Sequence, residues 1–267
     1  MRYIIDTAND EQIQEALDMG ACGVTANPSM YLKNQQNFYE FVKKYAALQL
    51  PFFSAEVMEG ALEEMRAQAQ FLSEISPEII IKLNFSKNAL ILCKELHKRG
   101  IHTAITLIFT VAQANAAINA GADYLFPFAG RSDEYGLDGL KLITSIQKMA
   151  DQKKQAFSVV AASIKNLHQL EELALAGIDY AAIPYALYEK SLHHPLTDQG
   201  AAAFQSDWQN FPLSTPKLPR FSRRGKAPIR LLENQGQDFV VIIVYSVLAD
   251  AVGHLRTSRP WVAHRVQ

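Results

Sequence analysis

Short apolar runs alternate with longer amphipathic segments along most of the chain. The apolar runs are rich in β-branched and aromatic residues, which favours strands. Eight such strands are predicted, at residues 2–6, 23–26, 52–57, 79–83, 103–108, 124–128, 157–162 and 180–184. The segments between them carry apolar residues at helical spacing. The predicted helices cover residues 9–18, 30–48, 60–75, 87–98, 111–120, 136–149 and 166–176, then a short helix from residue 188 and a last helix at 196–209.

Capping residues and glycines mark the ends of several of these helices. Asn9 or Asp10 is placed to cap the first helix, and Ser29 the helix that starts at residue 30. Gly100 and Gly121 follow the ends of two other helices, where a glycine commonly ends a helix. The strand–helix alternation is therefore supported by local signals as well as by periodicity.

Eight strand–helix units in roughly 200 residues predict an α/β fold, a (β/α)8 TIM barrel near the lower size limit of that architecture. An open doubly wound sheet has the same alternation of elements. No GxGxxG turn follows the first strand, so a dinucleotide-binding sheet is not supported. The barrel is the preferred prediction.

One strand, in the segment Pro77–Asn84, carries a lysine near its end. Three consecutive isoleucines precede Lys82, as in a strand that is buried on both faces. Removing an ammonium group from water is costly, so burial favours the neutral amine, which can attack a carbonyl group and form a Schiff base. The alternative is a lysine that extends from the strand end into solvent.

Other polar residues also fall at the carboxyl ends of predicted strands, where barrel enzymes place their catalytic groups. Each alone has an ordinary explanation, such as helix capping by Asn27 or barrel packing by Thr106. Their convergence on one rim is what predicts a site. These residues are Asp6, Thr25, Asn27, Glu56, Thr106, Arg131, Ser163 and Lys165.

The residue types divide this rim into two groups. Asp6 and Glu56 are carboxylates that could carry out the proton transfers of Schiff-base formation and carbon–carbon bond cleavage. Arg131, Ser163 and Lys165 supply a guanidinium, a hydroxyl and an ammonium, which suit a phosphate dianion. The sequence therefore predicts a sugar phosphate laid across the mouth of the barrel.

Composition narrows the function classes. The chain has 267 residues, 49% of them hydrophobic, a formal net charge of −1 and two cysteines, which are too few for a disulfide framework. No Cys/His cluster predicts a metal site, so neither a metal nor another cofactor is expected. No signal peptide or membrane-length apolar run is present in the sequence. We expect a cytoplasmic protein without a membrane or nucleic-acid partner.

Several motifs together resemble the transaldolase family, and in particular its short subfamily, which includes the fructose-6-phosphate aldolases. The segment Gly23–Ser29 is similar to the family's GVT-x-NPS signature. The other matching segments follow in family order: the lysine strand, Thr106-Leu107-Ile108-Phe109, Pro127-Phe128-Ala129-Gly130-Arg131, Ala161-Ala162-Ser163-Ile164-Lys165 and Asp207-Trp208. The resemblance covers residues 1 to about 210.

The resemblance implies a role for each rim residue. Lys82 would be the Schiff-base lysine, and Asp6 the acid and base for carbon–carbon cleavage. Glu56 and Thr106 would hold the catalytic water. Thr25 and Asn27 would line the dihydroxyacetone end of the site, while Arg131, Ser163 and Lys165 would bind phosphate. It also implies carbohydrate metabolism in the pentose phosphate pathway, and a homo-oligomer built from pentameric rings.

Two positions bear on which activity of the family is present. Glu56 and Phe128 match the transaldolases, where the fructose-6-phosphate aldolases carry glutamine and tyrosine. A phenylalanine cannot help hydrolysis as a tyrosine hydroxyl can, which favours transfer of the three-carbon unit over its release. The alternatives are an aldolase that releases dihydroxyacetone, and a catalytically silent barrel that binds sugar phosphates. Phe126 and Asn84 depart from the family pattern, and a bulky Phe126 would narrow the substrate site.

Residues 212–267 differ from the rest of the chain. They carry 9 Lys/Arg and 3 Asp/Glu, whereas residues 1–211 carry 17 and 24. We therefore predict a catalytic barrel at 1–211 and an atypical basic tail at 212–267. The tail would be an oligomer contact, a weak surface contact through its arginines, or an extension without a selected role. Its apolar run at 239–245 would be an aggregation hazard if it is exposed.

Overall fold

A computed structural model describes residues 1–153 and 157–210 of the chain. Eight parallel strands pair in chain order and close into a barrel, with strand eight beside strand one. The strands are β1 (Arg2–Asp6), β2 (Gly23–Thr25), β3 (Phe52–Val57), β4 (Ile80–Asn84), β5 (Thr103–Ile108), β6 (Tyr124–Pro127), β7 (Ser158–Ala161) and β8 (Tyr180–Ile183). The predicted (β/α)8 barrel is confirmed.

Helices follow every strand and cover the outside of the barrel. They are α1 (Asp10–Asp18), α2 (Pro28–Lys33), α3 (Phe38–Ala46), α4 (Leu62–Ile75), α5 (Lys87–Lys98), α6 (Val111–Asn119), α7 (Ala129–Glu134), α8 (Gly139–Lys153), α9 (Leu167–Leu175), α10 (Tyr185–Ser191) and α11 (Pro195–Asn210). None of the helices in the described ranges is long and apolar enough to cross a membrane.

Two apolar layers hold the barrel together. The larger layer lies between strands and helices, because alternate strand residues such as Ile5, Ile81 and Leu125 face outward onto the helices. The smaller layer fills the barrel interior and includes Phe52 and Phe126, whose rings are 6.1 Å apart between centroids. The strands are buried on both faces, which explains their nearly continuous apolar sequences.

The predicted helix at residues 30–48 is wrong in one respect, since the structure divides it in two. Gln35 adopts a left-handed backbone with φ of 52°, which ends α2. Asn37 then caps α3 by accepting hydrogen bonds from the backbone N–H groups of Tyr39 and Glu40. A polar run from residue 34 to 37 supplies these conformations, and it breaks the apolar periodicity only briefly.

The N-cap of α2 also differs from the prediction. Asn27, rather than Ser29, accepts a hydrogen bond from the backbone N–H of Met30 at 3.3 Å. Pro28 occupies the first helical turn, where its missing N–H costs nothing. The helix therefore begins directly after β2. Asn9 caps α1 as predicted, by accepting from the N–H of Gln12.

One further element departs from the prediction. The short helix α7 follows β6 directly and was not predicted, because its six residues carry no apolar periodicity. The last helix, α11, matches its prediction closely, yet none of its residues is buried. Its apolar side chains Leu196, Phe204 and Trp208 are exposed. The predicted tail at 212–267 lies outside the described residues, and the boundary before it stays a prediction.

Candidate active site

The centre of the barrel mouth is an ion pair between Lys82 and Glu56. The two residues are paired in register on β4 and β3, so both side chains point into the barrel. The Nζ of Lys82 lies 3.0 Å from Oε2 of Glu56, and both side chains are buried, with 7% and 6% of their surfaces exposed. A proton that leaves the amine therefore has an acceptor within hydrogen-bond distance.

The amine also contacts an aromatic ring and a backbone carbonyl group. Nζ of Lys82 lies 5.6 Å from the centroid of the Phe126 ring, which is fully buried in the barrel interior. It also donates a hydrogen bond to the carbonyl oxygen of Ala26 at 3.3 Å. Phe126, expected to narrow the substrate site, thus packs in the core beside the lysine. The alternative of a lysine extended into solvent is excluded, because Lys82 is buried.

Asp6 forms a third member of this charged group. It ends β1, beside Thr25 in the parallel register with β2. Burial raises the pKa of Asp6 from 3.8 to about 6, against the lowering effect of Lys82 and with a smaller rise from Glu56. A carboxyl group that titrates near neutrality can both accept and donate a proton during turnover.

The β2 side of the mouth carries hydroxyl and amide groups. The hydroxyls of Thr25 and Ser54 are hydrogen-bonded to each other at 2.8 Å, and both residues are buried. The side-chain oxygen of Asn27 is occupied by the N-cap bond to Met30, which fixes the orientation of its amide group. Ser54 was not predicted, because an isolated serine within an apolar strand gives no distinctive signal.

A bulge in β5 sets the position of Thr106. The register between β5 and β6 shifts between Ile105 and Ile108, and Leu107 adopts a left-handed backbone with φ of 59°. Thr106 remains buried and pairs with Asn84, two residues beyond Lys82 and therefore on the same face of β4. Such bulges redirect side chains near active sites, and leucine is an uncommon residue for this conformation.

The residues predicted to bind phosphate lie just after the ends of β6 and β7. The backbone N–H of Arg131 donates to Oγ of Ser163 at 3.2 Å, and Ser163 has a left-handed backbone with φ of 57°. Gly130 directly precedes Arg131 and donates its N–H to the Ser163 carbonyl oxygen at 2.7 Å, and a Cβ there would meet that oxygen at 2.4 Å. Only glycine allows this close approach, which brings the two segments together.

The side chains of this group differ in their partners. The guanidinium of Arg131 lies over the Phe128 ring, 5.1 Å from its centroid, and Arg131 is exposed at the mouth. Lys165 is also exposed and forms an ion pair with Glu134 at 3.6 Å. Phe126 and Phe128 are one pleat apart, about 7 Å along an extended chain. Phe126 lies beside the buried amine and Phe128 beneath the exposed guanidinium, so the two cationic groups are near neighbours along β6.

These distances bring the predicted residues together as two neighbouring groups. Lys82, Glu56 and Asp6 form a buried nucleophile with two proton carriers, and Arg131, Ser163 and Lys165 form a polar, cationic group at the rim. Among residues 1–153 and 157–210, no group of three or more His, Cys, Asp or Glu side chains is placed to hold a metal ion. The arrangement suits attack on a carbonyl group at one end of an anionic substrate.

Comparisons with known proteins identify the family of this chain. The sequence profile of the family described as Transaldolase/Fructose-6-phosphate aldolase matches residues 3–215. A protein named "Probable transaldolase" from Moorella thermoacetica is 41% identical over 210 residues, covering 78% of this chain and 98% of the relative. Proteins of the same name from Agathobacter rectalis and Geobacter sp. are each 39% identical, covering 98% and 100% of their own lengths.

Proposed function

The chain belongs to the transaldolase/fructose-6-phosphate aldolase family, and we propose that it transfers a dihydroxyacetone unit between sugar phosphates through a Schiff base at Lys82. It is an enzyme of the transaldolase/aldolase type. The observation that carries the proposed chemistry is the buried Lys82 amine, 3.0 Å from Glu56 at the centre of the barrel mouth.

The first half of the proposed reaction forms the Schiff base. The Lys82 ammonium first passes a proton to Glu56, and the free amine then attacks the C2 carbonyl of a ketose phosphate such as fructose 6-phosphate. A second proton moves from the nitrogen to the C2 oxygen. Glu56 then returns its proton to the resulting C2 hydroxyl, which leaves as water, so that the C2–O bond is replaced by a C=N bond. The positively charged imine then acts as the electron acceptor for bond cleavage.

The second half moves the three-carbon unit. Asp6 takes the proton of the C4 hydroxyl, the C3–C4 bond breaks, and its electron pair forms an enamine on Lys82. Glyceraldehyde 3-phosphate leaves. An acceptor aldehyde such as erythrose 4-phosphate then forms a new bond to C3 of the enamine, and Asp6 returns the proton to its oxygen. Water hydrolyses the imine and frees Lys82.

Transfer is preferred over release because the site offers no tyrosine hydroxyl at position 128. The ring of Phe128 is half-buried and packs against Phe109 and the Arg131 guanidinium, with centroid distances of 5.6 and 5.1 Å. An apolar ring there gives a water molecule no acid or base for hydrolysis of the intermediate. The enamine is therefore expected to persist until an acceptor arrives.

Product analysis tests the proposed function. The enzyme is incubated with fructose 6-phosphate, with and without erythrose 4-phosphate, while glyceraldehyde 3-phosphate and free dihydroxyacetone are followed together. We expect sustained release of glyceraldehyde 3-phosphate only with the acceptor. Dihydroxyacetone formed in equal amount without acceptor would identify an aldolase instead. No product in either tube, with sugar phosphate still bound, would identify a silent binding barrel.

Replacing Phe128 with tyrosine is expected to raise the release of free dihydroxyacetone without acceptor by about tenfold, at the low end of the range for one acid–base group. The added hydroxyl would help water to protonate and hydrolyse the enamine. The same two-product assay measures the change. Phe71→Tyr, on the exposed side of α4, is the matched control. Unchanged release from Phe128→Tyr would show that this position does not govern the fate of the intermediate.

Arg131 is proposed to bind the substrate phosphate. Arg131 is exposed at the mouth, and Lys165 is partly neutralised by Glu134. We expect Arg131→Ala to raise KM for fructose 6-phosphate by about 10- to 100-fold, as for the loss of hydrogen bonds to a charged group. Trapping of unphosphorylated dihydroxyacetone on Lys82 by borohydride should be unchanged.

Arg99→Ala is the control for this variant, since Arg99 caps the carboxyl end of α5, at the face of the barrel opposite the site. An equal rise of KM in both variants would contradict a specific phosphate contact at Arg131.

The predicted homo-oligomer and the cytoplasmic location stay predictions. The exposed apolar side chains of α11 agree with an oligomer contact.

A further inference from the structure

Gln169, on α9, is a buried polar side chain that is hydrogen-bonded at both ends. Its Oε1 accepts from the backbone N–H of Lys165 at 2.7 Å, and its Nε2 donates to Oδ2 of Asp133 at 2.6 Å. Lys165 follows β7, and Asp133 lies on α7, which follows β6. This connection, the Gln169–Asp133 bridge, therefore joins the two segments that carry the proposed phosphate-binding residues.

Asp133 extends the bridge to a third helix. Its other oxygen, Oδ1, accepts from the backbone N–H of Gly139 at 2.8 Å, at the start of α8. Gly139 itself lies against α7, since a Cβ there would meet the carbonyl oxygen of Ala129 at 2.3 Å. Both oxygens of the Asp133 carboxylate are therefore engaged, although the residue is exposed.

Helix capping explains only one half of the bridge. Asn166 caps α9 by accepting from the backbone N–H of Gln169 at 2.9 Å, and the Gln169 side chain reaches back to Lys165 in the manner of a capping box. That bond is local, over four residues. The bond to Asp133 spans 36 residues and satisfies no backbone group of α9, so it needs another explanation.

The two segments joined by the bridge also meet at the rim itself. Arg131 and Gly130 both donate their backbone N–H groups to Ser163. The left-handed backbone of Ser163, with φ of 57°, is unfavourable for a serine unless the surrounding structure holds it. Gln169 binds the backbone N–H of Lys165, two residues further along the chain. The bridge therefore anchors the loop of residues 163–165 on the side that leads into α9.

We propose that Gln169 and Asp133 are positioning residues, which set the separation between the Arg131 guanidinium and the loop of residues 163–165 and so determine affinity for the substrate phosphate. This inference rests on the proposed function. Neither side chain is proposed to touch the substrate. A phosphate dianion is bound well only when its donors are held at fixed positions. Loss of the bridge should therefore weaken phosphate binding and leave the chemistry at Lys82 unchanged.

The bridge can be broken and rebuilt by exchanging its donor and its acceptor. Gln169→Glu turns a second carboxylate toward Asp133, and Asp133→Asn turns a second amide N–H group toward Gln169, so each single variant loses the bond. In the double variant, the amide nitrogen at position 133 donates to the carboxylate at position 169. The carboxylate still accepts from Lys165, and the amide oxygen at position 133 still accepts from Gly139. All three hydrogen bonds are then restored.

Each single variant is expected to raise KM for fructose 6-phosphate about 10-fold, as for the loss of one hydrogen bond to a charged group, and to change kcat by less than about 2-fold. The double variant should return KM to within about 2-fold of the wild-type value. Borohydride trapping of unphosphorylated dihydroxyacetone on Lys82 should be the same in all four enzymes. Gln169→Leu, which adds no second charge, should raise KM equally and replaces a charged variant that does not fold.

Gln147→Glu is the control. Gln147 is a second buried glutamine, whose Nε2 donates to an aspartate, Asp151, at 3.0 Å. It lies eight residues into α8, about 12 Å along the helix from Gly139. This variant should lower Tm and leave KM unchanged. An unchanged KM in the single variants at positions 133 and 169, a KM that the double variant does not restore, or an equal loss of dihydroxyacetone trapping would overturn the inference.

Two further readouts separate the positioning role from the proposed function. An adduct on wild-type Lys82 together with an unchanged KM in the single variants sinks only the positioning role, whereas a missing adduct sinks the proposed function. The rise of Tm caused by inorganic phosphate reports the anion site without turnover. It should be smaller in each single variant and restored in the double variant, and an equal rise in all four enzymes would contradict the role of the bridge.

Discussion

Replacing Lys82 with methionine is expected to lower kcat by on the order of 10⁴-fold or more, as for the loss of a covalent nucleophile. No neighbouring amine in the described barrel interior can replace it, since the other buried polar or charged side chains there carry hydroxyl, amide or carboxyl groups. Methionine has a similar length and fits an apolar site. Coupled measurement of glyceraldehyde 3-phosphate release gives the change in kcat.

This variant also leaves Glu56 buried without its cation. Breaking a buried ion pair in this way costs about 3–5 kcal/mol in the free energy of unfolding. The double variant Lys82→Met, Glu56→Gln removes both charges and is expected to recover most of that stability while remaining inactive. Lys87→Met, on the exposed start of α5, serves as the control. A folded double variant that keeps about a tenth of the wild-type kcat would contradict the role of Lys82.

Replacing Asp6 with asparagine is expected to lower activity and to raise stability at pH 7. Loss of the acid–base group should lower kcat by roughly 10²- to 10⁴-fold. The wild-type kcat/KM should fall below about pH 6, because the pKa of Asp6 is raised to about 6 and cleavage requires the carboxylate. In Asp6→Asn this fall of kcat/KM below about pH 6 should be absent. A pH profile of both enzymes measures the difference.

The stability effect follows from the same raised pKa. The folded state holds the Asp6 proton more tightly than the unfolded chain, so the wild type loses stability as the pH rises from about 4 to above 6. The loss is on the order of 2–3 kcal/mol at pH 7. Asp6→Asn should therefore be more stable than the wild type at pH 7 and equally stable below pH 4.

The exposed Asp18→Asn is the control for both measurements, since Asp18 lies on α1 away from the mouth. Two results would contradict the proposed role of Asp6. One is an Asp6→Asn variant that is less stable than the wild type at pH 7, and the other is a variant whose kcat/KM still falls below about pH 6. A buried charge that costs stability and supports turnover is typical of a site selected for catalysis rather than for folding.

The architecture could be predicted because strands and helices differ in the spacing of their apolar residues. The rim residues could be predicted because they lie at the carboxyl ends of the predicted strands. Parallel strands that are buried on both faces have a distinctive apolar sequence, and their carboxyl ends necessarily meet on one side of the barrel. Lys82 and Glu56 were therefore expected to converge. Their registered pairing and their 3.0 Å contact were not predicted, because register depends on how the strands align in the barrel.

Other features could not be predicted from the amino-acid sequence. The break at Gln35 depends on a left-handed residue that is not glycine, and so does the bulge at Leu107. Tyr31 has an aromatic ring on a helix and gives the same apolar signal as a core residue. Its buried hydroxyl, which has no hydrogen-bond partner among the described residues, gives no signal in the sequence. Sequence periodicity reports which faces are buried, and not which polar atoms lack partners there.

Borohydride trapping tests the central claim most directly. The wild-type enzyme is incubated with fructose 6-phosphate, reduced, digested and analysed by mass spectrometry. The account predicts that Lys82 carries a reduced three-carbon or six-carbon adduct, and that Lys82→Met, Glu56→Gln carries none. An active enzyme without any adduct, or with the adduct on another lysine, would contradict the proposed Schiff base at Lys82.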